Sequence, residues 1–301
     1  TIYIGGGTPS CLNEKELKYL LDIVKTFIVS EDLEYTFECN LNDISDNLLK
    51  LLKDYGVNRL SIGIQSFNEE KLAFMERYHT FEDAKEKIKL CRSYGFDNIN
   101  VDLIYGIPGE TIKDLKLDVD HISTYSLIIE DNTKVGNSKM APIPEELDAK
   151  MYETILEKLE NKKYNRYEVS NFCRKNKQSR HNLNYWDNNQ YYGFGLGASG
   201  YIDNIRYENT RSLANYLKGK YVLKQTFLTK EDIMDNEIML GFRKIAGINL
   251  QEFYNRYEVN LQEVYNIKEL LKNHELIYED GYIYIHADLI YVMNEILIKI
   301  L

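Results

Sequence analysis

Nowhere in the 301 residues is there a run approaching the roughly 20 consecutive apolar residues of a bilayer-spanning helix, and the chain opens on a strand-like stretch without a basic, signal-like segment. A cytoplasmic protein without a transmembrane segment is the expectation. Cysteine is sparse. Cys11, Cys39, Cys91 and Cys173 show no paired spacing of the zinc or disulfide-framework kind, so they read as reduced thiols. Positive charge is short as well: 37 Lys and Arg against 47 Asp and Glu leave a net charge of −10. That balance repels phosphate backbones and anionic membranes, so nucleic acid is not an expected partner. At 44% hydrophobic residues, the chain can bury the core of one large domain plus one or two smaller ones.

What the chain does have is a set of short apolar stretches with polar tips: 2–10, 35–40, 59–66, 98–106 and 121–128. Between them lie helical patterns. Leu17, Leu20, Leu21, Val24, Phe27 and Ile28 repeat at helical spacing behind a capping-box-like Asn13 and Glu16. A second helix is predicted from Ser45 to Tyr55, ending at Gly56, and a third from Thr80, with Asp83 three residues on, ending at Gly95. Strands alternating with helices give βαβ units and parallel pairing, hence a barrel, a part-barrel or a doubly wound sheet. Such folds place ligands at the carboxyl ends of their strands, where the polar tips fall.

One crossover is short. Only the stretch 110–120 separates two strands that a parallel connection of about a dozen or more residues should join, which predicts missing residues near Lys116 and Leu117. After Pro142 and Pro144 the repeat stops, and Glu145 to Lys162 reads as a helix. The segment 276–285 reads as a hairpin on Asp280 and Gly281 among helices. Three regions result: 1–144, a (β/α) part-barrel; 145–228, an α/β extension; and 229–301, a winged-helix-like domain.

Four segments in this order resemble the radical S-adenosylmethionine (radical SAM) family of oxygen-independent coproporphyrinogen III oxidases and their haem-chaperone relatives of the HemW type. They are Gly5 to Pro9 (GGGTP), Gly56 to Phe67 (GVNRLSIGIQSF), Asn100 to Gly109 (NVDLIYGIPG) and His181 to Trp186 (HNLNYW). The likeness covers nearly the whole chain. It implies an incomplete (β/α)6 part-barrel lacking its first strand, with S-adenosylmethionine as cofactor. By this resemblance Gly6, Gly7 and Thr8 form a backbone turn against the methionine moiety, and Arg77 pairs with its carboxylate. Gln65 and Asp102 hold the ribose, with Glu38 assisting. These residue types suit a ligand carrying an amine, a carboxylate and a diol.

The family's Cys-x3-Cys-x2-Cys loop, whose thiolates hold a [4Fe-4S] cluster, does not occur in these 301 residues. The chain as given should therefore not support radical cleavage of S-adenosylmethionine. The segment HNLNYW resembles the chaperone branch, which binds haem and delivers it to apo-haemoproteins. There His181 is a possible haem-iron ligand, and Asn182, Tyr185 and Trp186 are candidate haem contacts, with ring stacking on the porphyrin open to the last two. A buried network bracing a loop is the other reading of the same residues. The functional alternative is oxidative decarboxylation of coproporphyrinogen III.

Two rival readings fail on context. Gly195 to Gly200 fits G-x-G-x-x-G, yet the following stretch is hairpin-like and Lys220 stands where a dinucleotide site needs an acid. A winged helix could bind DNA, but residues 229–301 carry 7 basic and 13 acidic side chains, the wrong sign for phosphate contact.

Overall fold

The computed structural model describes residues 1–27, 30–107, 122–127 and 143–301. The short connection around Lys116 and Leu117, and His121, lie outside the described residues. The chain forms two compact units, Thr1–Arg166 with Ser170–Gln178, and Tyr167–Val169 with Ser179–Leu301.

The first unit is a mixed α/β structure around a seven-stranded sheet of order β1-β2-β3-β4-β5-β7-β6. Strands β1 (Ile2–Ile4), β2 (Tyr35–Asn40), β3 (Arg59–Gln65), β4 (Asn98–Tyr105) and β5 (Ile122–Ser126) pair in parallel. Strands β6 (Asn165–Arg166) and β7 (Asn171–Cys173) extend the sheet antiparallel. This mostly parallel sheet is consistent with an open part-barrel.

The helices start and stop where local chemistry dictates. At the head of α1 (Glu14–Lys25), Asn13 Oδ1 accepts from Glu16 N at 3.0 Å and the Glu16 carboxylate accepts from Asn13 N at 3.4 Å. Ser45 caps α2 (Asp46–Asp54), Asn68 caps α3 (Glu69–Phe74), and Thr80 with Asp83 boxes α4 (Phe81–Ser93). Just beyond α2 and α4 stand Gly56 and Gly95, at φ +85° and +78°, the left-handed turn that lets a helix end cheaply.

Strand register divides the sheet into two faces of opposite character. Tyr3, Thr36, Arg59 and Asn98 are neighbours across four strands, Glu38, Ser61 and Asn100 across three, and Asp102, Ser123 and Asn171 across three more. All of these fall on one face, because side chains alternate along a strand. Phe37, Leu60, Ile62, Ile99, Val101, Ile122 and Phe172 fall on the other and are buried, as are Leu17 and Leu21 of α1, Leu49 and Leu52 of α2, and Ala84 and Cys91 of α4. The apolar face is the core of the unit. The polar face carries its chemistry. Helix α5 (Glu145–Asn161) belongs to this same unit and buries Met151, Tyr152, Ile155 and Leu159.

The second unit contains α6 (Arg180–Trp186), the sheet β10-β9-β8, in which β10 is Val222–Phe227, and a helical module around the sheet β11-β13-β12. Strands β8 (Ser199–Ile202) and β9 (Ile205–Asn209) turn on Asp203 and Asn204, at φ +50° and +63°. Strands β12 (Leu276–Glu279) and β13 (Tyr282–Ile285) turn on Asp280 and Gly281, at φ +49° and +83°. Two successive positive φ values are what a two-residue hairpin with right-handed strand twist requires. The glycine-rich run 195–200 leads into β8 rather than a helix, so it is no dinucleotide fingerprint. Helices α7 (Leu213–Leu217) and α8 (Lys230–Gly241) follow, then β11 (Ile248–Asn249) and α9 (Leu250–Tyr257). Phe242, Phe253, Ile267, Ile283 and Ile296 are among the residues of one continuous core in this module.

Gly247 holds that module closed. Its φ is +69°, and a Cβ there would lie 2.0 Å from the Ile283 carbonyl oxygen. Gly247→Ala is expected to cost on the order of 2–3 kcal/mol through strain and displacement of β13. A lowered urea midpoint, followed by fluorescence of Trp186, the chain's one tryptophan, is the check; an unchanged midpoint contradicts the contact.

Candidate functional site

The polar face of the first unit opens at the carboxyl ends of its strands into a cavity of about 140 Å³. Gly7, Thr8, Glu38, Cys39, Asn40, Ser61, Gly63, Gln65, Arg77 and Asp102 line it. Six of the seven residues that the resemblance assigns to the cofactor therefore meet in one place. The seventh, Gly6, is joined to it: its backbone N–H donates to Glu38 Oε2 at 3.2 Å, while the Tyr3 hydroxyl donates to Glu38 Oε1 at 2.7 Å.

Three backbone devices create the space. A Cβ on Gly5 would stand 2.5 Å from the Glu38 carboxyl carbon, so only glycine lets the turn after β1 pass the carboxylate. A Cβ on Gly63 would stand 2.8 Å from Gln65 Nε2, so the Gln65 amide lies over a gap in the strand. Gln65 itself has φ +70°, and Ser66 N donates to Ile64 O across it at 2.9 Å. That is a tight γ-type turn in a region costly for a side-chain-bearing residue. The β3–β4 register shifts between Gly63 and Gln65, and such bulges re-aim side chains beside functional sites.

Behind the cavity runs a hydrogen-bonded chain of neutral groups. Asn100 Nδ2 donates to Asp102 Oδ1 at 2.9 Å and to Ser61 Oγ at 3.0 Å, and Ser61 Oγ donates to Asp102 Oδ2 at 3.2 Å. The Ser123 hydroxyl lies between Asn100 Oδ1, at 3.0 Å, and Asn171 Oδ1. Burial drives the Asp102 pKa up from 3.8 to about 6; the Ser61 hydrogen bond opposes the shift, the Glu38 charge adds to it, and Arg59 opposes it. The Tyr3 phenol is likewise pushed upward, by burial first and then by Glu38.

Acceptors at Glu38 and Asp102, a donor at Arg77 and an amide offering both at Gln65 fit a ligand with a diol, an ammonium and a carboxylate. The thiols do not fit an iron–sulfur cluster. Cys39, Cys91 and Cys173 are buried and Cys11 is exposed. Burial raises the Cys39 and Cys173 thiol pKa values and that of Cys91 to about 11, the opposite of what a thiolate ligand needs. No group of three His, Cys, Asp or Glu side chains placed to hold a metal exists among the described residues.

The second candidate constellation sits on α6 in the second unit. Ser179 caps that helix by accepting from Asn182 N. His181 and Tyr185, four apart, share a helix face. His181 Nε2 is 3.0 Å from the Tyr185 hydroxyl, their rings meet edge to face at 4.8 Å, and Tyr191 continues the stack at 4.5 Å from Tyr185. Arg243 lies 5.7 Å over the Trp186 ring, whose Nε1 is buried without a hydrogen-bond partner. Both an aromatic platform and an imidazole are present, with the Nε2 atom already engaged by a phenol.

Sequence reading missed Tyr3, Ser61, Gly63 and Asn100. The signal was a polar residue at every second position, Arg59-Ser61-Gly63-Gln65 and Asn98-Asn100-Asp102, which marks a polar face even in a parallel strand.

Asp102 should leave a pH signature. Its folded-state pKa lies above its ordinary value, so the unfolded chain ionises first and stability falls as pH rises from about 4 to about 6. Asp102→Asn removes this loss. Relative to wild type, its unfolding free energy is expected to gain on the order of 2 kcal/mol between pH 4 and pH 7, read by denaturant titration. Parallel pH curves for the two proteins contradict it.

Comparison with known proteins is consistent with this geometry. The Radical SAM superfamily profile matches residues 1–122, and the HemN C-terminal domain profile matches residues 228–291. Heme chaperone HemW of Lactococcus lactis subsp. lactis (strain IL1403) is 40% identical over 298 residues, spanning 93% of this chain and 78% of that protein. Heme chaperone HemW of Bacillus subtilis (strain 168) is 39% identical over 284 residues, spanning 88% and 75%. That of Escherichia coli (strain K12) is 34% identical over 269 residues, spanning 84% and 71%. Among solved structures, coproporphyrinogen III oxidase (HemN) from Escherichia coli superposes with a TM-score of 0.82 over 98% of this chain and 76% of that one, at 18% identity, a likeness of fold. The chain belongs to the radical SAM superfamily, in the HemW family of heme chaperones.

Proposed function

We propose that this protein binds haem and delivers it to apo-haemoproteins, and that S-adenosylmethionine occupies the cavity at the strand ends of its first unit. The observation that carries the reading is the match to heme chaperone HemW proteins along most of the chain. It is supported by the meeting of Glu38, Gln65, Arg77 and Asp102 in one cavity. The oxidase alternative has weaker support, since the relatives at 33–40% identity carry the chaperone name and the oxidase is a fold neighbour at 18%. We place the protein in the cytoplasm, where its unpaired thiols would stay reduced.

In this reading Gly6, Gly7 and Thr8 lie against the methionine end, and Arg77 pairs with its carboxylate. Gln65 and Asp102 accept from the ribose hydroxyls. Glu38, already holding the Gly6 N–H and the Tyr3 hydroxyl, fixes the turn and presents negative charge to the ammonium. When bound, S-adenosylmethionine supplies an activated sulfonium. No step through a [4Fe-4S] cluster is assigned, because the cysteines of this chain do not form its site. For haem, the cargo, His181 is the proposed iron ligand, exchanging its Tyr185 contact for the metal. Asn182, Tyr185 and Trp186 form the adjoining wall, the two rings offering stacking area.

Haem titration of the full chain, read from the Soret band, tests the carrier reading. Wild type is expected to bind haem, and His181→Ala to bind it about tenfold more weakly, the loss of one charge-free metal ligand being worth about 1.4 kcal/mol or more. Turnover of coproporphyrinogen III without stable haem binding would reverse the assignment. For the cavity, Gly63→Ala should push the Gln65 amide aside and weaken S-adenosylmethionine binding about tenfold by equilibrium dialysis, with stability changed by less than about 1 kcal/mol. Unaltered affinity contradicts the role of Gln65.

A further inference from the structure

On the polar face of the first unit, beneath the cavity, lies a guanidinium with no ion-pair partner. Arg59 is 95% buried. Its one hydrogen bond is a long contact of 3.5 Å from Nη1 to Thr36 Oγ1, and Nε has no partner. Among the described residues no carboxylate lies within ion-pair distance. Register places Arg59 on the same face as Ser61, Gly63 and Gln65, directly below the Ser61–Asn100–Asp102 triangle.

A buried and unpaired cation is expensive, so its placement requires an explanation. The groups bearing on Asp102 supply one. From β2 the Glu38 carboxylate disfavours its ionisation, as does burial itself, while the Tyr3 phenol on β1 stays neutral. Ser61, Asn100 and Ser123 offer neutral donors or hydroxyls, and Arg77 stands at the cavity wall. Arg59 is the buried positive charge behind this group, and it acts in the opposite sense to Glu38.

We propose that Arg59 is a positioning residue that keeps Asp102 ionised at neutral pH, so that Asp102 can accept hydrogen bonds from the hydroxyls of a diol-bearing ligand. Arg59 acts through space, without touching that ligand. A direct salt bridge would occupy the very lone pairs the ligand needs. Separating the guanidinium from the carboxylate by the Ser61–Asn100 pair leaves the charge effect, and each Asp102 oxygen, accepting one neutral hydrogen bond, keeps capacity for a second from the ligand. The inference rests on the reading of this cavity as the S-adenosylmethionine site.

The test is S-adenosylmethionine binding to the full chain, by equilibrium dialysis from pH 6 to pH 9, for wild type, Arg59→Gln and Arg59→Lys. In parallel, the Asp102 carboxyl carbon is titrated by NMR without ligand. Arg59→Gln should move the Asp102 midpoint upward by about one unit. Its binding should weaken about twofold at pH 7 and about fivefold at pH 6, and match wild type at pH 9. Arg59→Lys should follow wild type, and Arg59→Met, which keeps the buried stem, replaces the Gln variant if that does not fold. An Asp102 midpoint unmoved by charge removal overturns the inference. So does a loss equal at all pH values and shared by the Lys variant, which would mark Arg59 as a packing element. Failure of wild type to bind at any pH overturns the reading of the cavity itself.

Discussion

Parallel strands in an α/β fold ordinarily bury apolar side chains on both faces. Here one face of β2 to β5 is lined instead with Thr36, Glu38, Arg59, Ser61, Asn100, Asp102 and Ser123, and the rest of the first unit is constrained by the need to satisfy them. A buried polar group without a partner costs a few kcal/mol, and a half-satisfied network is worse than an apolar one. Asn100 answers this by donating to both Asp102 and Ser61 while accepting from Ser123. All four oxygens of Glu38 and Asp102 accept hydrogen bonds, and among the described groups of this face Arg59 Nε is the buried atom left without a partner. The sheet is thus stabilised by its apolar face and left chemically poised on the other.

The same constraint explains the local backbone irregularities. Gly5 and Gly63 are required because the Glu38 and Gln65 side chains occupy the space where a Cβ would stand. The positive φ of Gln65 and the bulge beside it turn an amide that regular strand geometry would point elsewhere. Strain of this kind persists where the surroundings over-determine it, and here the surroundings are the capped helix α3 and the paired strand β4. The second unit is organised differently: an apolar core closes its helical module, and its polar and aromatic motif sits on a short helix, half-buried, with His181, Tyr185 and Tyr191 edge to face and Arg243 over Trp186.

Much of the fold was legible in the chain because its signals are local. The capping boxes at Asn13 and Thr80 and the glycines at 56 and 95 fix helix ends through contacts within four residues. The Asp280–Gly281 hairpin is set by two φ values. The residues proposed for the cofactor, at positions 6–8, 38, 65, 77 and 102, were legible only through the family resemblance, since nothing in a single sequence says that tips far apart in the chain share a rim. The polar network behind them was overlooked because strand stretches rich in Ile, Val and Leu read as uniformly apolar; the alternation within each strand was there to read, but the pairing of Ser61 with Asn100 comes from register. The role of Arg59 could not be read at all, because an arginine in a strand gives no hint of burial without a partner.

The central claim is that four side chains from separate strand and helix ends act as one cofactor site. A crystal structure of the full chain grown with S-adenosylmethionine tests it most directly. The account predicts ribose hydroxyls within hydrogen-bond distance of Gln65 and Asp102 and the methionine carboxylate against Arg77. Ligand density elsewhere on the molecule, with the cavity bounded by Glu38 and Asp102 holding only water, would contradict it.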